Sequence, residues 1–221
     1  MIISVNGIKL FYEKKGEGTP IILVHGNSED HTIFETLSNS LSKEHTVYLI
    51  DSRDHGQSCK VKSLYYADMA EDIFEFSKAL SLDKPAFLGF SDGGIVGLLL
   101  AIKYPCMLSH LIICGANTNP KGMKKKPLFF MKLGYFFSRN NKLKMMLTQP
   151  DIKNEDLNKI KTQTLVLAGS DDLILENHTK NIAENIKNST LKILKKETHS
   201  SYVVNSNKLF DIVSGFIAPT F

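Results

Sequence analysis

A chain of 221 residues, 43% hydrophobic and 23% charged, has the make-up of one large or two small globular domains and of neither a disordered nor a fibrous protein. Its net charge of +4 is modest and comes largely from one segment, Lys121 to Lys144, so it does not mark a nucleic-acid binder. The longest apolar run, Ile95 to Ile102, is far shorter than the ~20 residues of a membrane span. The amino terminus alternates (Ile2, Ile3, Val5) where a secretion leader would be continuously apolar, and a cytoplasmic protein is expected. Cys59, Cys106 and Cys114 lack CxxC spacing and read as reduced, structural thiols.

In chain order, Val5-Asn6-Gly7-Ile8 places a turn dipeptide between two apolar runs and predicts a hairpin of Ile2 to Val5 with Ile8 to Glu13. A Gly/Pro-rich break leads into Ile21 to Val24, a run without alternation that suits a strand covered on both faces. After His25-Gly26-Asn27-Ser28 a helix carries Ile33, Phe34, Leu37 and Leu41 on one side. The next strand is Thr46 to Ile50, followed by the loop Asp51 to Ser58. A second helix places Tyr66, Met69, Ile73, Phe76 and Leu80 in an inward stripe that reads as core, with Asp68, Glu71 and Lys78 on other faces. Leu108 to Cys114, Thr164 to Ala168 and Thr190 to Leu194 are further buried strands. Helices carrying Ile182, Ala183 and Ile186, and then Leu209, Ile212, Val213 and Phe216, complete the chain. This pattern predicts an α/β fold, a mostly parallel central sheet with helices on both faces. Residues 1–116 and 162–221 form the core domain in this reading, and the Lys-rich, aromatic-rich stretch 117–161 is a helical lid insertion.

The chemistry centres on Ala86 to Gly94, where an apolar run meets Gly89-Phe90-Ser91-Asp92-Gly93 and a helix-like run follows from Ile95. Strand, sharp turn and helix around Gly-x-Ser-x-Gly make Ser91 a candidate nucleophile held out at the carboxyl end of a strand. A serine hydroxyl needs a base and a group to orient that base. In open parallel sheets the functional loops gather beyond the carboxyl ends of the strands, and His199, shortly after the last strand, is the histidine this rule selects. The acid should follow an intermediate strand, where Asp171 and Asp172 lie. Asp172 is the better placed if the chain turns at Gly169 and Ser170, which leaves Asp171 to solvent or to capping.

The order Ser91, Asp172, His199 differs from that of the trypsin-like and subtilisin-like proteases. Together with three further motifs it makes the chain resemble the α/β-hydrolase fold superfamily over nearly all its length. His25-Gly26 resembles the family's oxyanion loop, Asp51 to Ser58 its D-x-R-G-x-G-x-S loop, and Gly169 to Asp172 its acid turn. Ser91-Asp92-Gly93-Gly94, Ala101 to Pro105 and Gly115-Ala116-Asn117 are similar to the branch containing valacyclovir hydrolase. The resemblance implies a Ser91-Asp172-His199 triad, an oxyanion hole made by the backbone N–H groups of Asn27 and Asp92, a bracing role for His25, and neither cofactor nor metal. Three departures from the pattern occur: Ser28 and Glu29 together stand where many relatives have glycines, Asp54 replaces the glycine after Arg53, and Thr198 precedes the histidine where glycine is common. Asp54 is among the residues least penalised at positive φ.

The expected function is that of a serine hydrolase cleaving a small-molecule ester, amide or thioester through an acyl-enzyme. The alternative is a non-hydrolytic lyase or ligand-binding sensor of the same fold. The Asp92 side chain either lends the pocket negative potential that favours amines or packs away from it. The aromatics of the lid are expected to line an acyl pocket or pack on the core, and its lysines to be solvated, the alternatives being contact with an anionic substrate or an acidic partner. A basic, aromatic segment can lie on a membrane surface, but such contact is not the expectation here.

Overall fold

The computed structural model describes residues 1–218, so residues 219–221 of the expected core domain lie outside the described residues. One eight-stranded sheet runs through it in the order β1-β2-β4-β3-β5-β6-β7-β8. β1 (Ile2–Val5) and β2 (Ile8–Lys15) form the expected hairpin, with Asn6 and Gly7 at positive φ in the turn. β2 pairs antiparallel with β4 (His45–Ile50), and every later pairing, from β4 with β3 (Thr19–Val24) across to β8 (Ser189–Thr198), is parallel.

The unbroken apolar run in β3 is explained by its two faces. Ile22 and Val24 join one core cluster, with Met69, Ile73 and Phe76 of α2 (Tyr66–Ala79) and Ile95, Val96 and Leu100 of α3 (Asp92–Lys103). Ile21 and Leu23 point the other way, into a cluster with Phe34, with Leu37 and Leu41 of α1 (Glu35–Leu41), and with Val213 of the last helix (Phe210–Ile217). Both faces of the central strands are thus dry, and alternation disappears.

Several boundaries differ from expectation. β6 (His110–Cys114) starts two residues later than expected. β7 (Gln163–Asp171) runs through Gly169 and Ser170 where a turn was expected, with an irregular register against β8 between Gly169 and Asp171. That irregularity delivers the expected outcome by another route, leaving Asp171 exposed and Asp172 buried. Cys59, Cys106 and Cys114 are unpaired, and Cys106 is exposed.

Residues 117–161 hold three α-helices, α4 (Lys125–Ser138), α5 (Asn141–Thr148) and α6 (Asn154–Leu157). The expectation that the aromatics here bury themselves is overturned, since no residue of α4 is buried. The inner side of α4, with Leu128, Met131 and Tyr135, is half-covered, and the aromatic residues on its outer side face solvent.

Candidate active site

β3 and β5 (Ala86–Phe90) are neighbours, and β4 and β6 flank them on opposite sides. The strand order therefore reverses between β3 and β5, where open α/β sheets place their ligands. The loops carrying Asn27 and Ser91 leave those two strands side by side.

Ser91 sits at φ 52 and ψ −112 between β5 and α3, a strained backbone for a residue with a side chain. The strain persists because its surroundings allow no other path. A Cβ on Gly89 would lie 2.1 Å from the Gly93 carbonyl oxygen, and one on Gly93 would lie 2.1 Å from that of Val24. Both glycines of the motif are steric requirements, and the second seats the elbow directly on the end of β3.

His199 follows β8, and its loop is fastened by Tyr202 and Val203, both fully buried. Its Nε2 lies 3.1 Å from Ser91 Oγ and its Nδ1 2.6 Å from Asp172 Oδ1. Asp172 also accepts from the backbone N–H of Ile174 at 2.9 Å and, at 3.4 Å, of Gly169. Burial pushes the Asp172 carboxyl up, but the hydrogen bond and charge of His199 and the two N–H groups outweigh it and leave it below its ordinary value. An ionised Asp172 fixes the proton on Nδ1, which leaves Nε2 free to accept from Ser91. Gly115, at φ 61, makes room for this contact, since a Cβ there would stand 2.8 Å from His199 Cε1.

Asn27 stands beside the elbow, its side chain donating to Asp92 Oδ2 at 2.9 Å. The backbone N–H of Gly26 is taken by the Glu29 carboxylate at 3.0 Å. Among the described residues neither the Asn27 nor the Asp92 N–H has a protein acceptor. Ser28 adopts φ 60 and Glu29 folds back to close the loop onto the Gly26 N–H. Burial raises the Glu29 pKa.

His25 accepts from the Ser52 N–H at Nε2 (3.1 Å) and so donates from Nδ1 to the Gly26 carbonyl at 2.7 Å. Burial lowers its pKa and keeps it neutral. It thereby ties the Asn27 loop to the loop Asp51 to Ser58, which is organised by ionic contacts. Asp51 accepts from His31 N, His31 Nδ1 and Gln57 N; Arg53 makes a two-pronged bond to buried Asp72, at 2.7 and 2.6 Å. Asp54 takes the glycine position at φ 65. Asp30, His31 and Asp51 form a metal-type cluster, but Asp51 is already engaged by these donors and Asp30 by Thr32.

Tyr66, read from the sequence as core, is a polar partner: its hydroxyl donates to Asp92 Oδ1 at 2.8 Å. Both oxygens of Asp92 are therefore occupied, and complete burial, opposed by the bonds from Asn27 and Tyr66, raises its carboxyl to about 6. A carboxyl whose pKa is higher folded than unfolded contributes stability that is full below the unfolded value, near 4, and is lost as pH rises through about 6. In urea titrations the advantage of the natural chain over Asp92→Asn should accordingly shrink by on the order of 3 kcal/mol between about pH 4 and pH 7. A difference constant across that range would mean that Asp92 does not titrate there.

An eight-stranded, mostly parallel sheet that brings a serine, a histidine and an aspartate together on loops beyond its strands defines an α/β-hydrolase type of molecule. Over residues 19–143 the sequence matches the α/β hydrolase fold family, and the chain belongs to it. Serine hydrolase BPHL of Homo sapiens is 27% identical over 248 aligned residues, covering 97% of this chain and 85% of that protein. Among solved structures, Est816, described as an N-acyl homoserine lactone degrading enzyme, superposes with a TM-score of 0.84 at 22% identity, over 98% of this chain and 100% of that one. A thermophilic esterase from Thermogutta terrifontis gives 0.80 at 22% identity, over 98% and 97%. No helix of the described residues is long and apolar enough to cross a membrane.

Proposed function

We propose that this chain is a serine hydrolase that cleaves a small-molecule carboxylic ester through an acyl-enzyme on Ser91, a chemistry that extends to amides and thioesters. The observation that carries the proposal is the contact chain from Ser91 Oγ through His199 to Asp172, made by residues scattered along the sequence. His199 Nε2 takes the Ser91 proton as Oγ attacks the carbonyl carbon, and Asp172 stabilises the imidazolium that forms. The oxyanion is received by the N–H groups of Asn27 and Asp92, fixed dipoles that need no reorganisation when charge develops. His199 then protonates the leaving alcohol, and water, deprotonated by the same imidazole, releases the acid. Residues 117–161 serve in this reading as a lid, with the carbonyl of Lys142 on α5 reaching within 3.5 Å of the Asn27 amide.

The sign of the substrate follows from the acids around the serine. The charge of Asp92 raises the Glu29 carboxyl and that of His199 lowers it, while Asp92 itself feels His199 and Lys142. Because Asp92 already spends both oxygens on Tyr66 and Asn27, any attraction on an amine acts through space.

A p-nitrophenyl ester panel tests the activity: turnover of short-chain members, with covalent labelling by a fluorophosphonate, is expected. Folded protein that turns over no member of the panel would instead leave a ligand-binding protein. Within the panel an α-amino ester should be cleaved faster than its uncharged analogue, and equal rates would remove the amine preference.

A further inference from the structure

The outer side of α4 is the least expected surface of the molecule. Phe129, Phe130, Leu133, Phe136 and Phe137 are 43% to 76% exposed. At about 100° per residue these five positions fall in one continuous stripe covering about a third of the helix circumference. The half-covered Leu128, Met131 and Tyr135 occupy the opposite side. A helix apolar nearly all round is normally buried, yet this one is covered on one side only.

Its charge surroundings identify what would cover the other. Eight basic residues lie between Lys121 and Lys144, and no acidic residue occurs between Asp92 and Asp151. With a net charge of +4 for the whole chain, everything outside Lys121 to Lys144 carries a net −4. The cations are thus concentrated around the aromatic stripe and absent in net from the rest. Lys124, Lys125 and Lys126 stand exposed at one end of α4, and the Arg139 guanidinium lies 5.6 Å from the Phe136 ring centre at the other. A second copy of this chain would bring like charge against like charge.

From this combination we infer that α4 is a docking element for an anionic lipid bilayer. The helix lies in the plane of the interface, with its phenylalanines among the upper acyl chains and its lysines at the headgroups. Its 14 residues are too few to span the hydrocarbon, which takes ~20. α4 packs against α5, and α5 touches Asn27, so docking places the bilayer on the insertion beside the candidate active site.

The test is co-sedimentation of the full chain with vesicles of phosphatidylcholine alone and of phosphatidylcholine with phosphatidylglycerol. Binding to the anionic vesicles is expected, falling with added salt and on neutral vesicles. The variant Phe129→Ser/Phe130→Ser/Phe137→Ser should bind about tenfold or more weakly, as should Lys124→Glu/Lys125→Glu/Lys126→Glu. Thermal unfolding serves as the control, since every substituted side chain faces solvent and the transition should be retained. Three results would each overturn the inference: no sedimentation with anionic vesicles, binding undiminished in the serine variant, or a dimer seen by light scattering that the serine substitutions dissolve.

Discussion

Replacing Ser91 by alanine is expected to lower kcat/KM on an activated ester by about 10⁴-fold to 10⁶-fold and to abolish fluorophosphonate labelling. The size of the effect follows from geometry. Ser91 Oγ lies within hydrogen-bond reach of His199 Nε2, and no other hydroxyl shares that nitrogen among the described residues. Losing Oγ therefore removes the bond-forming atom while leaving backbone and donors in place, and only the modest acceleration of binding and polarisation should remain. Because α3 and the elbow glycines are untouched, the variant should unfold at the temperature of the natural chain. Full labelling of Ser91→Ala would assign the nucleophile elsewhere.

Arg53→Met is expected to cost about 3 to 5 kcal/mol of stability, the usual penalty for breaking a buried ion pair by removing one partner. Arg53 and Asp72 are 6% and 2% exposed, so little water can replace the lost bonds, and Asn6 Nδ2, at 2.9 Å from Asp72 Oδ1, satisfies only part of the carboxylate. At the roughly 2–4 °C per kcal/mol typical of a chain this size, the melting temperature should fall by about 10 °C. The double variant Arg53→Met/Asp72→Leu should recover much of that loss, because it removes the stranded charge as well. If the double variant melts no higher than the single, the penalty does not come from the unpaired carboxylate.

The sheet and the order of the serine, acid and histidine loops were legible because they are written in local signals: both-face burial gives unbroken apolar runs, and the elbow needs glycines at fixed positions. Asp172 could be separated from Asp171, although the structure separates them by an irregular strand end and not by the expected turn. Side chains that act across the fold were harder to read. Tyr66 occupies an inward position of α2 and looks like core, because a helical stripe reports which way a ring points and is silent on where its hydroxyl ends. Asp72 sits beside that stripe and shows its partner only once Arg53 arrives from 19 residues away. Glu29 stands out from the family pattern, but its return to the Gly26 N–H depends on a backbone turn at Ser28 that no periodicity encodes. For α4 the burial expectation failed because hydrophobicity specifies a need for cover and not its source.

The seat of Gly93 on the carbonyl of Val24 has a bearing on how such a protein can change its substrates. The elbow and the Asn27 loop meet through backbone atoms with no slack, so neither wall can be reshaped without prising two central strands apart. Under the proposed lid role, variation in ligand size is absorbed across the cleft by residues 117–161, which are anchored in the core through Met145, Ile152, Leu157 and Ile160 while no residue of α4 is buried. Directed evolution toward bulkier acyl groups should therefore accumulate its productive changes between residues 117 and 161 and leave the elbow unaltered.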